Sequence, residues 1–156
     1  MIKRLFSTIK NYPIIITDDA WSKMSEIIIK QNSKSFLLSA SSGGCNGFNY
    51  EFNLLNNVEH NNFINKYEVN KITEIKNNDI ILLIDPLSEF LLFGTTIDYV
   101  SSDYNKNIFE SKFIFKPDKN LATSCGCGIS FTPKNWKIFK KIYLILYMSV
   151  NIKEIN

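Results

Sequence analysis

The chain has 156 residues, 45% of them hydrophobic and 21% charged, which suits one packed core and argues against wholesale disorder or a fibrous repeat. Its formal charge is only +3, and because the basic residues are scattered, we expect no nucleic-acid partner. Three cysteines are too few, and odd in number, for a disulfide-built secreted domain. The longest apolar run, near 142–150, is shorter than the roughly 20 residues of a spanning helix, so we expect no transmembrane segment.

Residues 1–13 are predicted to form a basic leader. They contain three basic residues and no acidic one, and their apolar residues recur at helical spacing: Ile2, Leu5, Phe6 and Ile9. Such a positive amphipathic segment is typical of organelle import, because it responds to membrane potential and offers an apolar face to a receptor. An ordinary frayed terminus is the alternative.

The main domain is expected to span 14–131 and to open with a short β-branched strand at 14–17. Asp18 or Asp19 is then predicted to cap a helix. One apolar stripe follows at helical spacing, a pattern more typical of core packing than of a binding face: Trp21, Met24, Ile27 and Ile28. A second strand is predicted at 35–40.

Strict alternation of apolar and polar residues over 48–54 predicts a half-buried strand with Phe48, Tyr50, Phe52 and Leu54 on one face. The polar, Asn-rich stretch near 56–78 predicts a loop or insertion of low order. It contains His60, the only histidine of the chain. We expect this side chain to face solvent rather than to bind a metal.

Four further elements are predicted after this stretch. The apolar run within 79–85 indicates a buried strand, and Pro86 is placed to start a helix that ends at Gly94. Strands are expected at 96–100 and 112–116. The predicted class is therefore α+β, a β-rich fold with a mostly antiparallel or mixed sheet wrapped on itself and one main helix outside it. The acidic residues of the domain are interpreted as cap and turn residues: Asp18, Asp19, Asp85 and Asp98.

Residues 132–156 interleave Lys134, Lys137, Lys140 and Lys141 with aromatic and aliphatic side chains. This pattern predicts a basic amphipathic extension that could lie on the domain, on a partner or on a membrane surface. A chain extension without a specific role is the alternative, because basic amphipathic tails are common.

The three cysteines lie in two glycine-rich stretches: Cys45 within 42–47, and Cys125 and Cys127 within 124–128. In extended chain, alternate residues point to the same side, so the thiolates of Cys125 and Cys127 can converge on one acceptor. A disulfide between them would close a small, strained ring. Thiolates favour zinc, copper(I) or iron-sulfur clusters. Because a cluster or structural zinc normally takes four protein ligands, a two-fold dimer is expected to share the site.

Four motifs, in order, resemble the A-type iron-sulfur carrier family, also called the IscA/HesB-like family. The motifs are 43–50, 98–100, 113–117 and 125–131, and the resemblance covers about 14–131. It implies a β-rich fold, dimerisation as a homodimer or with a paralogue, and Cys45, Cys125 and Cys127 as ligands. The implied cargo is a [2Fe-2S] or [4Fe-4S] cluster, or iron, received from donor proteins and passed to apoproteins.

The resemblance implies a role in the maturation of [4Fe-4S] proteins. We expect a binding and transfer protein rather than an enzyme, because one histidine and scattered acidic residues form no Ser/His/Asp set and no pair of catalytic carboxylates. With the basic leader, the resemblance makes the mitochondrial matrix the first expectation for location, and a plastid-like organelle or the cytoplasm the alternatives. The interval between Cys45 and Cys125 is longer than is usual in the family, and we assign the excess to 56–78. A thiol- or sulfur-handling enzyme and a zinc-stabilised interaction module are the competing functions.

Overall fold

The computed structural model describes residues 14–43, 47–67, 72–103, 105, 108–126 and 128–134. Within them the chain forms nine strands and three helices. The strands are β1 Ile15–Ile16, β2 Ser35–Ser42, β3 Phe48–Leu55, β4 Thr73–Asn77, β5 Ile80–Ile84, β6 Thr96–Val100, β7 Lys112–Lys116, β8 Ala122–Ser124 and β9 Ser130–Pro133. The helices are α1 Asp18–Gln31, α2 Asn57–Tyr67 and α3 Glu89–Leu92. The predicted leader 1–13 and residues 135–156 of the predicted extension lie outside the described residues.

The strands form two sheets rather than one sheet wrapped on itself. A six-stranded sheet has the order β4-β5-β2-β3-β9-β8, and a three-stranded sheet has the order β1-β6-β7. The pairs β2–β5 and β1–β6 are parallel, and the other pairs are antiparallel. The mixed, β-rich α+β class is confirmed. Among the described residues, no helix is long and apolar enough to cross a membrane.

The alternation predicted for 48–54 is confirmed, and it builds the aromatic part of the core. Phe48, Tyr50, Phe52 and Leu54 all belong to the main apolar cluster. The Tyr50 ring stacks on the rings of Phe115 and Phe131, with centroids 5.0 Å and 4.4 Å away. Since Phe115 lies in β7 and Phe131 in β9, one side chain of β3 connects the two sheets. Each such aromatic pair stabilises the folded state by about 1 kcal/mol beyond the contribution of its buried apolar area.

Helix α1 packs its predicted apolar stripe on this core, and Met24 is completely buried. The cap was predicted wrongly, because Thr17 rather than Asp18 or Asp19 accepts the Ala20 N–H, at 3.3 Å. The interpretation of Asp98 as a turn residue is also wrong. It lies within β6 and accepts hydrogen bonds from the Thr17 hydroxyl at 2.9 Å and from Lys116 Nζ at 2.8 Å. The bond from Lys116 lowers the pKa of Asp98 below its ordinary value.

The prediction of a loop over 56–78 is wrong, because the stretch contains α2 and β4. The Asn56 side chain accepts hydrogen bonds from the N–H groups of Val58 and Glu59, and the Glu59 carboxylate accepts from the Asn56 N–H. This reciprocal arrangement is a capping box with Asn in the first position. One side of α2 then packs on a second apolar cluster around the completely buried Leu83; the helix residues concerned are Phe63, Ile64 and Tyr67.

The prediction that His60 faces solvent is wrong, because its side chain is half-buried against the sheet. Its Nδ1 lies 2.8 Å from the hydroxyl of Ser35, and Ser35 is completely buried in β2. The bond fastens α2 to the six-stranded sheet. Burial, and secondarily the nearby Lys34 ammonium, lower the pKa of His60 below its ordinary value of 6.5.

Because the folded protein favours neutral His60, its stability should fall on acidification. As the pH drops below 6.5, His60 takes up a proton in the unfolded chain before it does so in the folded protein. The contribution of neutral His60 to the free energy of unfolding is therefore complete above pH 6.5 and is lost as the pH falls towards the lower pKa of the folded state. We expect the urea midpoint to decrease between about pH 7 and about pH 5.5, and His60→Gln to flatten that part of the profile. Parallel profiles for the two proteins would contradict the assignment.

The helix predicted to start at Pro86 begins three residues later, at Glu89. Residues 85–88 form a turn in which the Ser88 N–H donates to the Asp85 carbonyl at 3.0 Å and the Ser88 hydroxyl donates to the Asp85 carboxylate at 2.6 Å. Asp85 is therefore a turn residue, as predicted. Gly94, the predicted end of the helix, follows α3 with a φ of +76°.

Candidate functional site

Cys125 directly follows β8 and starts the connection to β9. Its N–H donates to the Ser130 carbonyl at 2.8 Å, and its carbonyl accepts from the Gly128 N–H at 2.9 Å. Gly128 has a φ of +72°, a conformation that a side chain disfavours. The Cys125 side chain is half-buried. The glycine after the second cysteine of the motif is thus required for closing this turn.

The second glycine-rich stretch joins β2 to β3. The Gly43 N–H donates to the Gly47 carbonyl at 2.9 Å, and the φ of Gly47 is +101°. The closure is tight because Ser42 already pairs with Phe48. Cys45, between the two glycines in sequence, and Cys127 both lie outside the described residues.

Strand β9 connects the two stretches. Phe131 pairs with Phe48 on one side and with Ser124 on the other, so these three residues form one row across the sheet. Gly47 precedes Phe48 and Cys125 follows Ser124, and β3 and β8 run in the same direction because both are antiparallel to β9. The two residues therefore lie on opposite sides of this row, about 10 Å apart across the sheet and about 7 Å apart along it. The fold thus brings together the chain segments that flank the cysteine motifs. The convergence of the three sulfurs stays a prediction.

Ser130 is the residue directly opposite Cys125 across the strand pair, so their side chains lie on the same face of the sheet. It is 2% exposed, and its hydroxyl has no hydrogen-bond partner among the described residues. Buried hydroxyls normally have a partner. The Ser130 hydroxyl is thus a buried donor without a partner among the described residues, at the position opposite Cys125 in the strand pair. Hydrogen bonds to ligand sulfurs tune metal and cluster sites.

The sequence did not single out Ser130 as a candidate functional residue. The signal was its place beside Phe131, since an inward-facing aromatic residue requires its neighbour in a strand to point to the opposite face.

Ile129, next in the turn, is 61% exposed. Tyr50 donates its N–H to the Ile129 carbonyl at 3.0 Å, but burial raises the pKa of its phenol to about 12. Tyr50 is thus a neutral core residue near neutral pH rather than an anionic ligand.

No group of three or more His, Cys, Asp or Glu side chains capable of holding a metal ion occurs within the residues that the structure describes. This set includes one of the three predicted sulfur ligands, that of Cys125. His60 of α2 hydrogen-bonds to Ser35 of β2. It lies away from the cysteine turn, because Ser35 pairs with Leu55 at the far end of β3.

Comparison with known proteins gives a consistent result. No family model matches the chain. The iron-sulfur cluster insertion protein ErpA of Nitrosococcus oceani is 33% identical over 123 residues, and the match covers 78% of this chain and 92% of that protein. The ErpA protein of Vibrio cholerae is 30% identical over 124 residues, with 78% and 96% covered.

Two solved structures share the fold. Escherichia coli SufA, described as involved in biosynthesis of iron-sulfur clusters, has a TM-score of 0.55 at 21% identity, covering 76% of this chain and 90% of that one. The structure of IscA with the [2Fe-2S] cluster has a TM-score of 0.58 at 15% identity, covering 78% and 99%. The fold expected from the motifs is therefore confirmed. By its identity and coverage with the ErpA relatives, this chain belongs to the A-type iron-sulfur carrier family.

Proposed function

We propose that this protein binds an iron-sulfur cluster through Cys45, Cys125 and Cys127 and transfers it to apoproteins. The observation that supports this most is the position of Cys125 on a glycine-closed turn, two strands from the glycine closure that brackets Cys45. The relatives named iron-sulfur cluster insertion proteins support the same chemistry.

The cluster is cargo rather than a resident cofactor. Thiolates are soft ligands that suit iron-sulfur clusters, and three per protomer leave a four-ligand requirement unmet. A homodimer, or a heterodimer with a paralogue, supplies the missing ligand and leaves the cluster at a subunit boundary. A cluster held there is easier to release than one enclosed by four cysteines of a single chain. The proposed cargo is [2Fe-2S] or [4Fe-4S], received from a donor protein and used in [4Fe-4S] protein maturation.

The buried Ser130 hydroxyl fits this proposal. A thiolate needs nearby donors when it is partly removed from water. The Ser130 hydroxyl has no partner among the described residues, and we propose that it donates to the Cys125 thiolate from the opposite position in the strand pair. The transfer requires no catalytic step of Cys125 or Ser130, because the cluster moves by exchange of its ligands. We therefore propose a carrier rather than an enzyme.

The test is anaerobic reconstitution in which iron, sulfide and zinc are offered together. The carrier proposal predicts iron and acid-labile sulfide in equal amounts, with Mössbauer parameters that identify the cluster type. Retention of zinc alone would contradict it in favour of a zinc-stabilised module. Retention of neither metal, together with thiol-disulfide exchange when an oxidised dithiol is added afterwards, would favour a thiol-handling enzyme.

We also propose that residues 1–13 direct the protein to the mitochondrial matrix, on the strength of their positive, acid-free amphipathic pattern. Fused to a fluorescent reporter, this segment should give a mitochondrial signal. Changing Lys3, Arg4 and Lys10 to Glu in the same fusion should abolish it, because import depends on positive charge. A plastid-like pattern or a diffuse signal from the unchanged fusion would contradict the proposed location.

A further inference from the structure

Gly126 lies in the sequence between two of the proposed ligands, Cys125 and Cys127. The Gly128 N–H donates to the Cys125 carbonyl at 2.9 Å, and this hydrogen bond closes a β-turn with Gly126 in its second position. Gly126 is exposed. The turn therefore presents the backbone of Gly126 at the surface, directly after a proposed ligand.

The backbone conformation of Gly126 does not require a glycine. The chain contains only six glycines in 156 residues. Four of the five that the structure describes have φ angles between +72° and +144°, which disfavour a side chain: Gly43, Gly47, Gly94 and Gly128. Gly126 is the exception among the described glycines, because its φ is not positive. The second position of a turn with negative φ accepts most residues.

Packing within the described residues does not require a glycine at this position either. Apart from its chain neighbours, no atom of these residues would lie within 4 Å of a Cβ added to Gly126. At Gly94, by contrast, an added Cβ would lie 2.9 Å from the Cβ of Asp118. A glycine increases the conformational entropy of the unfolded chain and so lowers stability. Neither the backbone nor the packing of the described residues accounts for this loss of stability.

Close approach of another backbone is a further reason for a glycine in such a position. The number of ligands indicates where that backbone comes from. Three thiolates per chain leave a four-ligand cluster incomplete, and a two-fold axis brings the same turn of a second copy to the cluster. Metal–thiolate bonds are short, about 2.3 Å for zinc. Two cysteine turns that share one cluster therefore lie close together.

We propose that Gly126 is the residue at which the cysteine turns of two copies approach each other in the cluster-loaded dimer. This role rests on the proposed function and adds to it the identity of the partner, a second copy of this chain. Gly126 is a positioning residue, because its missing side chain allows the thiolates of both chains to reach one cluster. A side chain at this position should leave the separate protomer folded and prevent the two turns from meeting.

Urea unfolding of the metal-free protein tests the first part of this statement. Gly126→Ala should have a midpoint no lower than that of the wild type, because alanine fits the backbone conformation and restricts the unfolded chain. Gly128→Ala is the control for a glycine that the fold requires, and its midpoint should decrease because the φ of Gly128 is +72°. An equal decrease in Gly126→Ala would overturn the proposal, since Gly126 would then serve the protomer itself.

Anaerobic reconstitution followed by gel filtration tests the second part. The iron that elutes with the dimer should decrease at least about threefold in Gly126→Ala and at least about tenfold in Gly126→Val, because the added side chain overpacks the contact. Ser124→Val is the control at an exposed position directly before Cys125, and it should load as the wild type does. Full loading of the Gly126→Val dimer, or an equal loss in Ser124→Val, would overturn the proposal.

Failure of the proposed function gives a different result in the same experiment. If the wild type binds no cluster, or binds it fully as a monomer, the carrier or its shared site is refuted and the role of Gly126 with it. If the wild type elutes as a loaded dimer and Gly126→Val does the same, only the role of Gly126 is refuted.

Discussion

Replacing Cys125 or Cys127 by serine should remove nearly all of the visible charge-transfer absorption of anaerobically reconstituted protein. The absorption arises from thiolate-to-iron charge transfer, and a serine hydroxyl is neither deprotonated near neutral pH nor a soft ligand. The chain has three cysteines, and Cys45 lies in a different stretch, so no further thiol of the Cys125–Cys127 segment replaces the lost one. We expect each single variant to retain less than about a tenth of the wild-type iron per protomer.

Ser124→Ala is the matched control. Ser124 immediately precedes Cys125, but it pairs with Phe131 and is exposed, so its side chain lies on the opposite face of the sheet from that of Cys125. Its spectrum should equal that of the wild type. Because Cys125 is half-buried, urea unfolding of each metal-free variant checks that the loss is not one of folding. An unchanged spectrum in Cys125→Ser or Cys127→Ser would refute their roles as ligands.

Cluster loading should follow dimer formation. Three thiolates per chain leave a cluster one ligand short, and a two-fold axis is the simplest source of the fourth. On anaerobic gel filtration, the visible absorption should elute with the dimer, and the monomer peak should contain less than about a tenth of the iron. Removing iron with a chelator should return the protein to the monomer. A fully loaded monomer would contradict the shared site.

Cys45→Ser distinguishes two forms of that shared site. If the cluster is held by Cys125 and Cys127 from each chain, this variant should still load as a dimer, though less stably. If all three cysteines are ligands, as proposed above, loading should fall as in the other two variants. Both ligand sets require the dimer. This variant therefore distinguishes between the two sets, and the gel-filtration experiment tests the shared site itself.

The long alternating strand was the element most open to prediction. Over 48–54, every second residue faces the same core, so the period of two is not obscured by other demands. The prediction of a loop over 56–78 was wrong for the opposite reason. Asparagine is a weak helix former, and the helix there depends on an Asn56–Glu59 capping box and three apolar contacts. Tertiary packing, rather than propensity, makes α2 a helix.

The cysteine motifs were visible in the sequence because their glycines have a geometric purpose, which Gly47 and Gly128 fulfil with positive φ angles. The strand register that positions these motifs in the sheet was not visible in the sequence. Strands β8 and β9 have three and four residues, too few to show a period. Ser130 therefore gained its place opposite Cys125 only through the pairing of β8 with β9. Short strands are specified by their partners, which a single sequence does not display.

Transfer to a recipient tests the central claim most directly. Reconstituted protein is mixed anaerobically with an apoprotein whose activity requires a [4Fe-4S] cluster, in the presence of a chelator that captures iron released to solution. We expect the recipient to gain activity while the visible absorption of the carrier decreases, and the Cys125→Ser protein to give no gain. Activation that is equally fast with free iron and sulfide, or that the chelator abolishes, would contradict direct delivery of a cluster.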